Sequence, residues 1–297
     1  MNALGYRTAS FTPVPTWRRW WPLARQEFLS LFRTKWGVAV FAVCLIPSLA
    51  RLVLMMILFG ILDFGPQLRE RLSRGRSPQL AIWNPSRVDF YTEPVLSVMP
   101  GMVCVLLLTT LVVARAIARD RATNALELYW TRGISPRAYF WAKWLGCYLL
   151  VAAVTVLAPL LLWVTGVLLA EDWQLLHETL PGLPGMLGGL LLGTALLTTI
   201  CLQVSAASRS ANAATVLWCV LLIGSQAVGA VVGQVLQQPG LKATLSLWEA
   251  YATVVRVCAT SVPRGVSPSV AFTTIGVVAF LLLLVVRRRL RLAEAIG

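Results

Sequence analysis

Residues Trp144 to Ala170 read WLGCYLLVAAVTVLAPLLLWVTGVLLA, 27 consecutive residues without one Asp, Glu, Lys, Arg or His. A helix rises about 1.5 Å per residue and the hydrocarbon core of a bilayer is about 30 Å thick, so this stretch is long enough to cross it. Outward from it, five more apolar segments of similar length follow the same rule. They lie at 36–62 (broken by Arg51), 95–113, 181–204, 211–236 and 266–286. In lipid every backbone N–H and C=O must be satisfied within the element, which leaves helices as the reading for such runs. The expected fold is an all-α polytopic membrane protein with six transmembrane helices. Composition agrees: of 297 residues, 58% are apolar and only 13% charged, about half the charge a soluble domain carries.

The charges that remain are lopsided, 26 Lys and Arg against 12 Asp and Glu. In a soluble chain a formal +14 would suggest nucleic acid; here position decides otherwise. With both ends inside, seventeen of the cations fall on the inner segments: six ahead of the first span, six between the second and third, Arg209, and Arg287, Arg288, Arg289 and Arg291 in the tail. Eight fall outside, five of them (Arg69, Arg71, Arg74, Arg76, Arg87) in the first outer loop. This bias predicts cytoplasmic termini and no nucleic-acid partner. The first 35 residues contain no apolar run ahead of a small-residue cleavage site, so the first span is expected to serve as its own insertion signal. Three units follow: 1–35, a cytoplasmic N-terminus; 36–286, the transmembrane domain; and 287–297, a basic cytoplasmic tail.

Two pieces outside the spans carry patterns of their own. From Trp17 to Lys35 a helical projection gathers Trp17, Trp20, Trp21, Ala24, Phe28, Leu31 and Phe32 on one side, and Arg19, Gln26, Glu27, Ser30, Arg33 and Thr34 on the other. Tryptophans opposite a basic polar face describe an amphipathic helix lying in the membrane interface, in contact with lipid, or packed on the protein's own inner side. Between the second and third spans, Asp120 to Arg132 reads as a short helix with Ala122, Ala125, Leu126 and Tyr129 on one face. Gly133 suits its stop, and Ser135 followed by Pro136 suits the cap and first turn of the third span. The apolar face of this loop helix either covers the end of the bundle or docks another protein.

What is missing removes several chemistries, and two other classes, an intramembrane enzyme and an ion-coupled carrier, stay open with little in the sequence to carry them. His177 stands alone, the six cysteines (Cys44, Cys104, Cys147, Cys201, Cys219, Cys258) show no C-x-x-C spacing, and no GxxxxGK[ST] loop is present. The cysteines read as small buried hydrophobes, and any ATP chemistry belongs to a partner. An intramembrane enzyme would show clustered acids or a Ser/Lys dyad within spans; none is visible. An ion-coupled secondary carrier would show intramembrane carboxylates, yet all twelve acids fall outside the six spans as drawn. Arg51 does not fit a lipid-facing helix. It lies about 22 Å beyond Trp36 along the helix, either as a pathway charge or as a structural one that snorkels or pairs with Glu171 or Asp172. Gly185, Gly189 and Gly193 in the fourth span and Ser225, Gly229 and Gly233 in the fifth form small-xxx-small rows for close helix packing. The last outer segment, 242–261, reads as a short re-entrant or interfacial helix with Glu249 and Arg256 on one face.

This order of parts resembles the permease subunit of ABC-2-type ABC transporters over almost the whole chain. The stretch that carries it is ARDRATNALELYWTRGISPRAYFWAKWLG, Ala118 to Gly146: an acid- and base-rich entry, a short helix, a turn, and a Lys-containing start to the third span. The sequence departs from the family at the turn, where Gly133, Ile134, Ser135 and Pro136 stand in place of Pro, an aliphatic residue, Ser and Arg.

The resemblance implies that the N-terminal helix is an elbow helix and that the loop helix is a cytoplasmic coupling helix. ATPase docking would then fall to Asp120, Ala122, Ala125, Leu126, Glu127 and Tyr129, with Glu127 at the family's acidic position and Lys143 at its basic one. It further implies two ABC ATPase subunits, which carry the ATP and Mg, with no cofactor in this chain. The second permease chain would be identical or homologous, the location a bacterial inner membrane, and the chain itself non-catalytic. Without a charged row along any span, an exported substrate is expected to be amphipathic or lipid-like. The alternatives are transmission of mechanical work to a periplasmic subunit, for which the arginine-rich outer loop offers a surface, and an ion-coupled secondary carrier.

Overall fold

Helix α1, Thr16–Ser30, runs through one 3₁₀ turn at Leu31–Arg33 into α2, Lys35–Leu58. A short α3, Asp89–Leu96, precedes α4, Val98–Ala122. After α5, Ala125–Thr131, come α6, Pro136–Leu169, α7, Gln174–Ala207, and α8, Ala211–Val235. Helix α9, Leu247–Cys258, follows, and residues 272–280 are again helical. The computed structural model describes residues 16–61, 84–131, 134–170, 173–236, 244–259, 269 and 272–280; among these no strand occurs. Five of the helices, α2, α4, α6, α7 and α8, are long and apolar enough to cross a membrane. Most of the sixth expected span, 266–286, lies outside the described residues.

Local chemistry sets the boundaries. Thr34 caps α2, its Oγ1 accepting from the Gly37 amide at 3.1 Å. Ser135 caps α6 by accepting from Ala138 N at 3.3 Å, with Pro136 in the first turn, so this helix starts eight residues before the apolar run that identified it. Ser210 and Ser246 cap α8 and α9 in the same way. Polar side chains inside the bundle pair with one another: Thr155 with Thr194 at 2.7 Å, and Trp218 Nε1 donates to Thr109 Oγ1 at 2.9 Å. Burial is uneven. Only 17% of the most apolar window of α2, and of α8, is covered by the chain, against 72% for α4.

The glycine row of the fourth span is occupied from within the chain. A Cβ at Gly189 would stand 2.8 Å from the Val255 carbonyl oxygen, one at Gly193 2.7 Å from Tyr251 Cε2, and one at Gly185 would run into the Cys258 carbonyl oxygen. Helix α9 therefore sits backbone to backbone on α7. Eight of its twelve residues are buried, Leu247 N donates to Ser225 Oγ of α8 at 3.2 Å, and Trp248 Nε1 donates to the Leu96 carbonyl at the end of α3 at 3.2 Å.

Two sequence expectations change. The helix expected over Asp120 to Arg132 is divided: α4 continues to Ala122, then Thr123 and Asn124 turn the chain and α5 begins. Asn124 sits at φ 53°, a left-handed conformation that Asn tolerates better than most residues. Asp120 and Ala122 thus belong to the second span's helix, and an acid does lie on a spanning helix. The faces of α1 also differ. Leu23, Ala24 and Glu27 are buried where α1 packs on α6, Leu31 just beyond α1 is buried too, and Trp21 is exposed. Glu27 is therefore on the packed side, not the solvated one.

Candidate functional site

Among the described residues, the end of the bundle where α4 turns into α6 carries the greatest concentration of buried charge. Lys143 lies seven residues into α6, about 10 Å along it, and its side chain is 1% exposed. Its ammonium meets two carboxylates: Asp120 Oδ2 at 2.7 Å and Glu27 Oε1. The Glu27 and Asp120 side chains are 2% and 8% exposed. The Tyr139 hydroxyl donates to Asp120 Oδ2 at 2.9 Å, and Arg119 Nη2, on a half-exposed side chain, stands 3.6 Å from Glu27 Oε1. Two buried acids are balanced by the buried Lys143 and by the half-exposed Arg119 at the rim, which is what allows the carboxylates to sit where water does not reach.

Each partner arrives by a different route. Glu27 follows Leu23 and precedes Leu31 at helical i, i+4 spacing, so it shares their buried line. Asp120 is on the last turns of α4, Tyr139 and Lys143 are one turn apart on α6, and Gly146 lies just beyond. At Gly146 a Cβ would stand 2.5 Å from the Ala24 carbonyl oxygen and 2.8 Å from Glu27 Cβ. The missing side chain lets α1 close onto α6 deeply enough for Glu27 to reach Lys143.

The turn itself is anchored on the far side by α7. Ser205 Oγ accepts from the Ile117 and Ala118 amides, both at 3.1 Å, and Arg121 Nη1 donates to the Ser208 carbonyl at 3.2 Å. From this base α5 projects. Leu126 and Tyr129 are partly buried and pack against the core, with the Tyr129 ring 5.5 Å from that of Tyr139. Burial first, and then the nearby Asp120 carboxylate, raise the Tyr129 phenol above its ordinary value. Ala125 is half-buried and Ala122, Thr123 and Asn124 are exposed. The Glu127 side chain lies outside the described residues.

Arg51 sits at the opposite end. Its guanidinium carbon is 5.3 Å from the centre of the Phe90 ring, and it faces Glu93 of α3. Glu93 in turn pairs with Arg256 of α9 at 3.7 Å. Burial raises the Glu93 carboxyl above the usual range although Arg256 and Arg51 both oppose it. Glu171 and Asp172, the acids expected near Arg51, lie outside the described residues. Among those described, no three His, Cys, Asp or Glu side chains converge to hold a metal.

The structure thus brings together Asp120, Tyr129 and Lys143, leaves Ala122 at the exposed turn, and separates Arg51 from all of them. It adds Glu27, which a helical projection had assigned to the wrong face. Comparison with curated proteins gives no match. A model of the family described as ABC-2 family transporter protein matches residues 85–286, which includes the whole turn from Asp120 to Lys143. This chain belongs to the ABC-2 transporter family and is a multi-pass membrane permease of an ABC transporter.

Proposed function

We propose that this chain is the permease half of an ATP-driven exporter whose power arrives through α5. The observation that supports the reading is the mounting of the loop. A short helix projects between the second and third spans from a base fixed by the Lys143 ion pairs on one side and by Ser205 and Ser208 on the other. A lever that transmits force needs such a rigid root. Separate ATPase subunits, two per transporter, hold the ATP and Mg, grip the exposed turn and α5, and draw two permease chains together; this chain itself performs no catalysis.

In this reading the chain has six spans in a bacterial inner membrane with both termini in the cytoplasm, and α1 is the elbow helix at the lipid interface. Thr155 and Thr194 bond each other within the bundle, as do Trp218 and Thr109, and no charged row runs along a described span, which favours an amphipathic or lipid-like substrate moving against an outer face of the permease. Arg51, over Phe90 and facing Glu93, serves the structure of the outer end.

The test is co-purification with the ATPase. Leu126→Asp on α5 is expected to abolish association while the permease still inserts. Because Leu126 also packs on its own bundle, Ala122→Trp at the exposed turn is the companion variant, adding bulk where no internal contact is broken. Undiminished ATPase recovery with both variants would sink the docking assignment.

A further inference from the structure

We infer that Glu27 is a positioning residue of the drive: through Lys143 it fastens α1 to the coupling loop, so that α1 and the head of the first span move with α5. This rests on the docking of α5 proposed above. A helix held at the interface only by apolar contact can slide, because such contact is non-directional. Here α1 has a fixed register. Its carboxylate is 2% exposed and meets the same ammonium that holds Asp120, and its backbone is seated on Gly146. One buried cation therefore joins α1, the end of α4 and the start of α6.

The connection onward has little slack. Only Leu31 to Thr34 separates α1 from α2. Thr34 caps the new helix, and Gly37 is packed so closely on this turn that a Cβ would stand 2.8 Å from Thr34 Oγ1 and 2.9 Å from the Leu31 carbonyl carbon. Beyond it, α2 is among the least covered of the spanning helices. An element with few internal contacts is the one a displacement at its root can carry along. Force entering at α5 has a path to the first span through Lys143 at the root of α6 and on to Glu27, without travelling the length of α4 or α6.

The experiment uses the permease assembled with its ATPase subunits in lipid nanodiscs. Backbone hydrogen–deuterium exchange is compared without nucleotide and after trapping with ATP and vanadate, for the wild type, Glu27→Gln and Glu27→Asp. In the wild type, trapping is expected to change exchange in 125–131 and also in 16–37. In Glu27→Gln the response of 125–131 persists while that of 16–37 is lost, and Glu27→Asp, which keeps the charge, restores part of it. A response of 16–37 in Glu27→Gln equal to the wild type overturns the inference. So does a wild type in which 125–131 responds and 16–37 does not, a result that needs no variant to fold. A wild-type complex in which 125–131 itself is unresponsive overturns the docking reading and this inference with it.

Discussion

Replacing Lys143 by Met removes the one cation that is buried with both carboxylates. The side chains are of similar length, so packing changes little, but Glu27 and Asp120, 2% and 8% exposed, are left facing each other. Breaking a buried ion pair from one side costs about 3–5 kcal/mol, roughly a hundred- to several-thousand-fold in the folding equilibrium. Arg119 already stands 3.6 Å from Glu27 and can swing further in, which argues for the lower end of that range. At about 3 kcal/mol, and on the scale of about 2–4 °C per kcal/mol for chains of 150–250 residues, the melting midpoint falls by about 6–12 °C. The drop is measured in detergent from the emission of the twelve tryptophans and from the loss of the monodisperse elution peak. The triple variant Lys143→Met, Glu27→Gln, Asp120→Asn leaves none of the three buried charges of this cluster and keeps an acceptor for the Tyr139 hydroxyl, so it is expected to recover most of the loss. A single variant that melts within about 1 °C of the wild type, or a triple variant that melts no higher than the single one, refutes the electrostatic account.

Two further outcomes follow from the opposite end. Gly189→Val places a side chain where the Val255 carbonyl oxygen and Cys258 Cβ already stand within 3 Å of an added Cβ; overpacking of this kind costs about 1–3 kcal/mol and should raise maleimide labelling of Cys258 as α9 lifts, whereas Gly188→Ala, with nothing within 4 Å, should change neither. The Glu93 carboxyl is raised above 4.5, so the folded state binds its proton more tightly than the unfolded chain does, and stability falls as pH rises through the window above 4.5. The melting midpoint is therefore expected to climb as pH is lowered from neutrality toward 4.5, and Glu93→Gln should remove that component of the slope; a slope unchanged in the variant counts against the assignment.

Five of the apolar spans, the Ser135 and Pro136 start of α6 and the short helix at 125–131 are legible because each depends on residues within a turn or two. What escaped depends on residues far apart in the chain. Glu27 lies in the line Leu23, Glu27, Leu31, and a carboxylate in such a line is a signal that a partner is buried with it. Taken alone it read as the border of a polar face, since Lys143, 116 residues away, is what draws it inward. The break at Thr123 and Asn124 had a local sign, an Asn in a run of good helix formers, but the apolar pattern continued across it and hid the turn. The glycine row at Gly185, Gly189 and Gly193 announced a close neighbour without saying which; that it is α9 of the same chain could not be read from spacing.

A buried Lys with two acids is an inefficient way to gain stability, because desolvation consumes most of what the attraction returns, and apolar side chains of equal volume often do as well. Its use here makes sense as specification. Apolar packing supplies little drive between helices in lipid, where the surroundings are as apolar as the partner, and α1 has no long span of its own to fix its depth. Three elements meeting at one ammonium have one register; slipping α1 by a residue would take Glu27 out of line and leave Lys143 with Asp120 alone. The two sets of variants separate these roles. If specification is what the charges provide, the triple variant melts close to the wild type yet, like Glu27→Gln, leaves 16–37 unresponsive to ATP. If the charges only hold the fold together, recovery of the melting midpoint brings the response of α1 back with it, and the ion cluster is then a fastening with no part in the transmission of force.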